Sequence, residues 1–263
     1  MTESNASAPA VSGMVTGVAA LVAGLVGAVI ACMVVNAIGM NIFPMSALEK
    51  KVTAMVQQVP SAEQQVVLAD EFNKRAAKHC MVWFATAGAI LGALVGAGVA
   101  VSGKYNKLLV VALPAVLCAL AGLAAGPVSI SLAQVVKDNR VGLQPSDMNI
   151  MLMHGATWAI LGAAIGLGVG CAASNRALLI PRLLGAGVFG GILGGAFMHL
   201  PGGLLLASTD FSINIPNPED TVGRMYYFCF PMVFIAFIIG HTAAAGPAAH
   251  VPESSSAPDE ATA

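Results

Sequence analysis

Two histidines are the residues of this chain whose positions could support chemistry inside an apolar helix bundle. His154 and His199 each stand on the same helical row as three glycines spaced four residues apart. If those rows face the interior of a bundle, the two imidazoles could approach each other and form a polar site for a ligand, a metal ion or a proton. We favour the competing interpretation, a neutral imidazole bonded to backbone near the membrane interface, because two histidines without a carboxylate or cysteine make a poor metal site.

The sequence offers little else for catalysis. No Asp, Glu or Lys lies in the interior of an apolar segment, although proton pumps, ion-coupled carriers and intramembrane proteases need ionisable groups there. A Walker loop, an H-E-x-x-H sequence and a G-x-S-x-G sequence are also absent from the chain. These motifs would supply a phosphate site, a zinc site or a nucleophile. We therefore predict that the protein is not an enzyme and has no catalytic, cofactor-binding or metal-binding residues.

The apolar segments contain three glycine ridges, each a G-x-x-x-G-x-x-x-G sequence. An interior glycine costs a helix in water about 1 kcal/mol relative to alanine, so such rows are poor in soluble helices. In a bilayer they allow two helix backbones to approach closely. We therefore expect tight helix packing at the following glycines: Gly88, Gly92 and Gly96; Gly162, Gly166 and Gly170; Gly187, Gly191 and Gly195.

The composition indicates a membrane protein. Of the 263 residues, 57% are hydrophobic and only 10% are charged, whereas a soluble domain has about 25% charged residues. The mean hydropathy is +0.81 and the net charge is -1, with no basic run that would indicate nucleic-acid binding. Six segments are long and apolar enough to span a bilayer: 14–36, 80–102, 108–135, 149–172, 183–207 and 225–242. The predicted fold class is an all-α, polytopic transmembrane helix bundle.

The rest of the chain is predicted to form two tails and one insertion. We expect residues 1–13 and 243–263 to be disordered and residues 14–242 to form the membrane domain, because the Ala-, Ser- and Pro-rich C-terminal tail cannot build a core. The domain includes a soluble helical insertion at 41–79, with a capping box from Ser46 to Glu49. The insertion could be an interfacial docking surface, although we favour a helical hairpin that caps the bundle. The first span lacks the basic start of a signal peptide, so we expect it to be retained.

Two stretches of the chain resemble each other. His79 and Trp83 precede the first glycine ridge, and His154 and Trp158 precede the second ridge at an offset of about 75 residues. A short polar break and a second helix rich in small residues follow in each stretch. The pattern is consistent with a parallel duplication of a helix hairpin. Chance similarity between helices rich in Ala, Gly and Val is the alternative.

The orientation in the membrane depends on which side has the basic residues. The breaks after the second and fourth spans contain four basic residues and no acids: Lys104, Lys107, Arg176 and Arg182. The other side contains eight Lys and Arg, which favours the opposite orientation. We expect both termini in the cytoplasm, in a bacterial inner (plasma) membrane. Aromatic residues at the helix starts on the other side predict an interfacial belt: Trp83, Trp158, Tyr226 and Tyr227.

Two functions remain open at this point. The first is a non-enzymatic structural or accessory component packed through its glycine ridges, with the lipid bilayer and either itself or another membrane protein as partners. The alternative is a small-solute channel or carrier with its path at the repeat interface, near His154 and His199. Neither function requires a cofactor or nucleic acid.

Overall fold

Six long helices contain most of the residues that the structure describes. The computed structural model describes residues 12–38, 42–45, 47, 50, 62–138, 147–173, 176–201 and 221–245. The helices are α1 Gly13–Ile38, α2 Ala62–Ala100, α3 Lys107–Asp138, α4 Asp147–Ala172, α5 Arg176–Phe197 and α6 Thr221–Ala244, and the described residues include no strand. All six are long and apolar enough to cross a membrane. The predicted all-α transmembrane bundle is therefore confirmed.

Helix α2 extends well beyond the apolar segment that begins at Cys80. It has 39 residues, so it is about 58 Å long at 1.5 Å per residue, whereas the hydrocarbon core of a bilayer is about 30 Å thick. Residues 62–79 of the predicted insertion are thus the first part of α2. Lys74 and Asp70 form an ion pair in this part, with the two charged atoms 2.6 Å apart. The capping box at Ser46 to Glu49 and the helix after it lie almost entirely outside the described residues.

Prolines interrupt the helices less than the sequence suggests. Helix α5 begins at Arg176 and includes Pro181, whereas the predicted span begins only at Leu183. Helix α3 contains Pro114 and Pro127 and continues to Asp138, three residues beyond the predicted span 108–135. A bilayer favours continuation because a helix that ends in hydrocarbon would leave several backbone groups without partners, while one proline removes a single donor.

The six helices form a closed ring with three of them at the centre. Each helix packs on its neighbours in sequence, and α1 closes the ring against α6. Helices α2, α4 and α6 also contact one another. In the most apolar 18-residue segment of each helix, the buried share of the residues is 50% in α2, 61% in α4 and 44% in α6. The corresponding shares are 39% in α1, 28% in α3 and 33% in α5. Helices α2, α4 and α6 are therefore the inner helices, and the other three cover the gaps between them.

The outward surface of the outer helices is apolar. Along α1, large side chains that face away from the bundle are about half exposed, among them Val18, Val22 and Val26. Val116 and Leu120 of α3 are similarly exposed. A soluble monomer rarely exposes an apolar surface of this extent, and the surface suits the hydrocarbon of a bilayer.

The glycine ridges of α4 and α5 face each other. A Cβ atom at Gly162 would collide with the carbonyl oxygen of Gly187, and one at Gly187 would collide with that of Gly162. A Cβ at Gly191 would collide with the carbonyl of Trp158, and one at Gly195 would lie 2.5 Å from the carbonyl oxygen of His154. The two backbones are thus closer than any residue with a side chain would permit at these positions.

The ridge of α2 faces α3 in a comparable way. A Cβ at Gly88 would lie 2.5 Å from the carbonyl oxygen of Cys118, and one at Gly92 would collide with the carbonyl of Pro114. Pro114 also lies against α4, because a Cβ at Gly168 would meet its ring atoms. Glycines from two helices therefore make room for the proline of α3.

The α2–α3 and α4–α5 pairs have similar glycine contacts. Gly122 of α3 lies against Phe84 of α2, and Gly191 of α5 lies against Trp158 of α4. The α2 counterpart of Trp158 by packing is therefore Phe84, although the sequence pattern pairs Trp158 with Trp83. The ridges of α2 and α4 are thus offset by 74 residues, one fewer than the two tryptophans. The duplication itself stays a prediction.

Candidate functional site

A cluster of buried rings fills the centre of the bundle near the starts of α4 and α6. Tyr227 is in the middle, and the centroid of its ring lies 5.5 Å from that of Trp158. The corresponding distances are 5.8 Å to His154 and 6.5 Å to Phe84. We call this cluster the aromatic junction, and its five members are at most 1% exposed: Phe84, His154, Trp158, Tyr227 and Phe228.

The aromatic junction replaces the predicted interfacial belt. Trp83, Trp158 and Tyr227 lie among the inner helices and do not face lipid headgroups, so the belt prediction is wrong for these three. The reason is the rotation of α4 about its axis. Trp158 lies on the same helical row as the glycines of the α4 ridge, and this row faces the interior of the bundle. Tyr226 is half-buried, and its hydroxyl donates a 3.0 Å hydrogen bond to the carbonyl of Met198 at the contact between α5 and α6.

The two predicted site histidines belong to neighbouring parts of the bundle: His154 lies in α4, and His199 lies two residues after the end of α5, the helix that packs on α4. His154 is buried in the aromatic junction, where its ring and that of Tyr227 meet at an interplanar angle of 62°. Gly195 of α5 packs on the backbone of His154, and His199 follows four residues later, about one helical turn further along. His199 is half-buried. The contact of Gly195 with His154 brings this end of α5 against the start of α4, and a polar site shared by His154 and His199 stays a prediction.

Several hydrogen-bonding atoms of this region are buried without a hydrogen-bond partner among the described residues. They include the indole nitrogens of Trp83 and Trp158, the hydroxyl of Tyr227 and Nε2 of His79. Buried polar atoms usually have a partner, which can be protein, water or a ligand. These atoms are therefore the candidates for binding a polar molecule in the half of the core near the starts of α4 and α6.

Arg224 is a residue of this region that the sequence analysis does not identify. It lies in the first turn of α6, and Nη1 donates a 2.6 Å hydrogen bond to Oδ1 of Asn36 in α1. The guanidinium carbon lies 5.5 Å from the ring centroid of Trp83 in α2, a cation–π distance. Arg224 therefore connects three helices. The predicted sixth span begins at Met225, one residue later, so hydropathy alone left Arg224 in a loop.

The cysteines and histidines of the described residues do not form a metal site. No group of three or more His, Cys, Asp or Glu side chains that could hold a metal ion occurs within the described ranges. All five cysteines are free, and three of them are buried: Cys32, Cys80 and Cys118. The thiol of Cys118 lies 3.6 Å from the carbonyl oxygen of Leu161 in α4, which is a packing position for a small apolar side chain.

The opposite half of the core is aliphatic, and its end is closed by the turn after α2. The inner helices fill this half with fully buried side chains: Val95, Val99, Ile165, Val169, Ile235 and Ile239. In the turn, the hydroxyl of Tyr105 donates a 3.1 Å hydrogen bond to the carbonyl of Ala243, and Lys104 Nζ donates to that of Ala244. These bonds satisfy carbonyls that the end of α6 leaves open. Burial raises the pKa of Tyr105 to about 12, so the phenol keeps the proton it donates.

Comparison with known proteins supplies no relative. No model of a protein family matches the chain, and no curated protein and no solved structure matches it. The fold and composition indicate an integral membrane protein, with six helices among the described residues that are long and apolar enough to span the bilayer. Its function has to be argued from the aromatic junction and the helix contacts.

Proposed function

We propose that this protein is a non-enzymatic structural or accessory component of its membrane, with helices packed through their glycine ridges. The observation that supports this most directly is the contact of the α4 and α5 ridges, where four glycines leave no space for a Cβ atom. Such contacts favour one fixed arrangement of helices, because close backbones gain van der Waals energy that is lost on any displacement. A fixed arrangement suits a protein that holds a partner in place.

The chemistry of the core agrees with this proposal. The inner helices meet through aromatic rings in one half and aliphatic side chains in the other, and these side chains are fully buried. The sequence places no Asp, Glu or Lys within the apolar segments, so the groups that enzymes and ion-coupled carriers use are lacking there. The apolar outer faces of α1 and α3 would contact lipid, a second copy or another membrane protein.

Native mass spectrometry after gentle detergent extraction tests this role. An affinity-tagged chain would be purified from its native membrane, and the intact assembly would be weighed. We expect a second protein in stoichiometric amount. A chain that is always recovered alone, and that transports solute in liposomes, would contradict the accessory role and favour the second candidate.

The second candidate is a small-solute channel or carrier with its path near His154 and His199. The observation that favours it is the set of buried donors at the aromatic junction, including Trp158 and Tyr227. A path that crosses the membrane would also need the aliphatic half of the core to open, since its side chains fill the space between the inner helices. This is why we rank it second.

Liposome flux of the His199→Ala variant tests the second candidate. Loss of flux with unchanged thermal stability would support a path beside His199, and normal flux would exclude that position. His241→Ala is the matched control, because His241 is exposed at the far end of α6. Flux of the control should equal that of the parent.

We propose that both termini lie in the cytoplasm of a bacterial inner membrane. The turn after α2 and the end of α6 lie on the same side, since Lys104 and Tyr105 bond to the last carbonyls of α6. Reporter fusions at the C-terminus test the orientation. An active cytoplasmic reporter such as green fluorescent protein is expected, and an active periplasmic alkaline phosphatase at the same position would reverse the assignment.

A further inference from the structure

Two neighbouring polar atoms at the centre of the aromatic junction make no hydrogen bond of good geometry with the described residues. They are Nε1 of Trp158 in α4 and the hydroxyl oxygen of Tyr227 in α6. The centroids of the two rings are 5.5 Å apart, and neither residue is more than 1% exposed. Bulk water therefore does not reach them along the surface of the bundle.

A direct hydrogen bond between Trp158 and Tyr227 would not satisfy every hydrogen-bonding group of the two side chains. An indole N–H can only donate, and a phenol has one hydrogen to donate and an oxygen to accept. If Trp158 donated to Tyr227, the hydrogen of the phenol would still need an acceptor. The pair has two donor hydrogens and one acceptor oxygen, so an acceptor must come from outside the pair.

We propose that the aromatic junction binds a small neutral molecule through an acceptor oxygen, between Trp158 of α4 and Tyr227 of α6. Its chemistry is that of water or of a solute with a hydroxyl or carbonyl group. The molecule has to be small because Phe84 and Phe228 stand beside the pair, with ring centroids 6.5 Å from Tyr227 and 6.2 Å from Trp158, respectively. It has to be neutral because the donor hydrogens repel a cation, and an ion among these rings would lose its hydration.

This site lies beyond the proposed structural role and does not depend on it. A structural protein would use a bound water to satisfy its inner helices, whereas a carrier would use the same oxygen-binding atoms for its solute. The two sources of the oxygen can be distinguished, because binding of a solute saturates when the solute is titrated, whereas a bound water molecule exchanges only with bulk water.

The chain contains a built-in spectroscopic reporter for this site. It has only two tryptophans, so Trp83→Phe leaves Trp158 as the sole indole. The N–H stretching band of an indole moves to lower frequency when the group donates a hydrogen bond. We would compare the band in Trp83→Phe with that in Trp83→Phe/Tyr227→Phe. The band should be at a bonded frequency in the first protein and move to higher frequency in the second, because the bound molecule loses one of its two anchors.

The matched control uses the other indole. Trp158→Phe leaves Trp83, whose ring contacts are to His79 and Arg224, so its band should not respond to Tyr227→Phe. If the Trp158 band is at the frequency of a non-bonded indole, or if Tyr227→Phe leaves it unchanged, the site does not exist. Thermal unfolding of each variant would establish that the fold is retained.

A high-resolution density map of the full protein separates the remaining explanations. Density for a small molecule within hydrogen-bond distance of both Trp158 Nε1 and the Tyr227 hydroxyl is expected. Direct bonding of Trp158 to Tyr227, with the phenol bonded in turn to His154, would overturn the proposal. Titration of the Trp83→Phe protein with glycerol or urea then identifies the source: a saturable change in Trp158 emission that is lost in Tyr227→Phe indicates a solute, and no change with density present indicates water.

Discussion

Gly191→Ala should destabilise the bundle because α5 cannot move away from α4. The added carbon would lie 2.6 Å from the carbonyl carbon of Trp158, about 0.8 Å short of the 3.4 Å at which ordinary van der Waals contact begins. Relief would require α5 to shift toward α6. The backbone of α5 is already in close contact with α6 at Gly190, which prevents this shift. Even a Cβ atom at Gly190 would lie only 2.9 Å from the Cα atom of Ile235 in α6.

The expected loss is about 1–3 kcal/mol, the usual range for one extra carbon in a well-packed core. A loss of 1.4 kcal/mol lowers the folded-to-unfolded ratio about tenfold, so the change is measurable by titration from mild detergent into sodium dodecyl sulfate. Gly185→Ala on the same helix is the matched control, because nothing lies within 4 Å of a Cβ at that position. The control should unfold at or slightly above the parent's midpoint, since alanine is the better helix former.

Two results would refute this reasoning. If Gly191→Ala unfolds at the same midpoint as the parent, the row of glycines faces lipid and not α4. If Gly185→Ala and Gly191→Ala lower the midpoint equally, the loss comes from the helix itself and not from the contact. The larger Gly191→Leu should be more disruptive than Gly191→Ala, because a longer side chain needs a wider separation of the two backbones.

Three further predictions concern polar contacts at the ends of the bundle. Tyr105→Phe removes the bond to Ala243 and should cost about 0.5–1.5 kcal/mol in the free energy of unfolding; an unchanged midpoint would mean that water replaces the phenol. Arg224→Gln weakens the link between α1, α2 and α6 and should cost about 1.5–3 kcal/mol, typical of a bond from a charged donor, and a double-mutant cycle with Asn36→Ala should recover most of that loss as coupling. Lys74→Ala removes an ion pair between exposed side chains in the extension of α2 and should leave the midpoint where it is, because water competes for both charges; a clear shift would indicate that this extension packs on another surface.

The number of helices follows from hydropathy, but their ends do not. A run of apolar residues marks the part of a helix that contacts hydrocarbon, and a helix can continue through polar sequence on either side of that part. Helix α2 begins at Ala62 and crosses the polar stretch before Cys80 without interruption. Pro181 and Pro127 likewise stand inside helices, because a helix in a bilayer loses less by tolerating one missing donor than by ending.

The candidate site was only partly predictable. His154 could be placed on the inward row by its spacing from the glycines, and the structure buries it among aromatic rings. The inward position of Tyr227 could not be predicted, because α6 has no glycine ridge to mark its inner face. Arg224 was missed for a related reason, since its partner Asn36 is 188 residues away in sequence and no local pattern joins them.

By itself, the sequence determined that this chain crosses a membrane as helices. Hydrocarbon offers the backbone no hydrogen-bond partner, so a run of about 20 apolar residues has to satisfy its own donors and acceptors as a helix. Only the tertiary structure decided that α2, α4 and α6 are the inner helices, that the α4 and α5 ridges face each other and that Tyr227 meets Trp158. These contacts depend on the rotation and register of whole helices, which are set by the fit of distant surfaces and not by the spacing of residues along one segment.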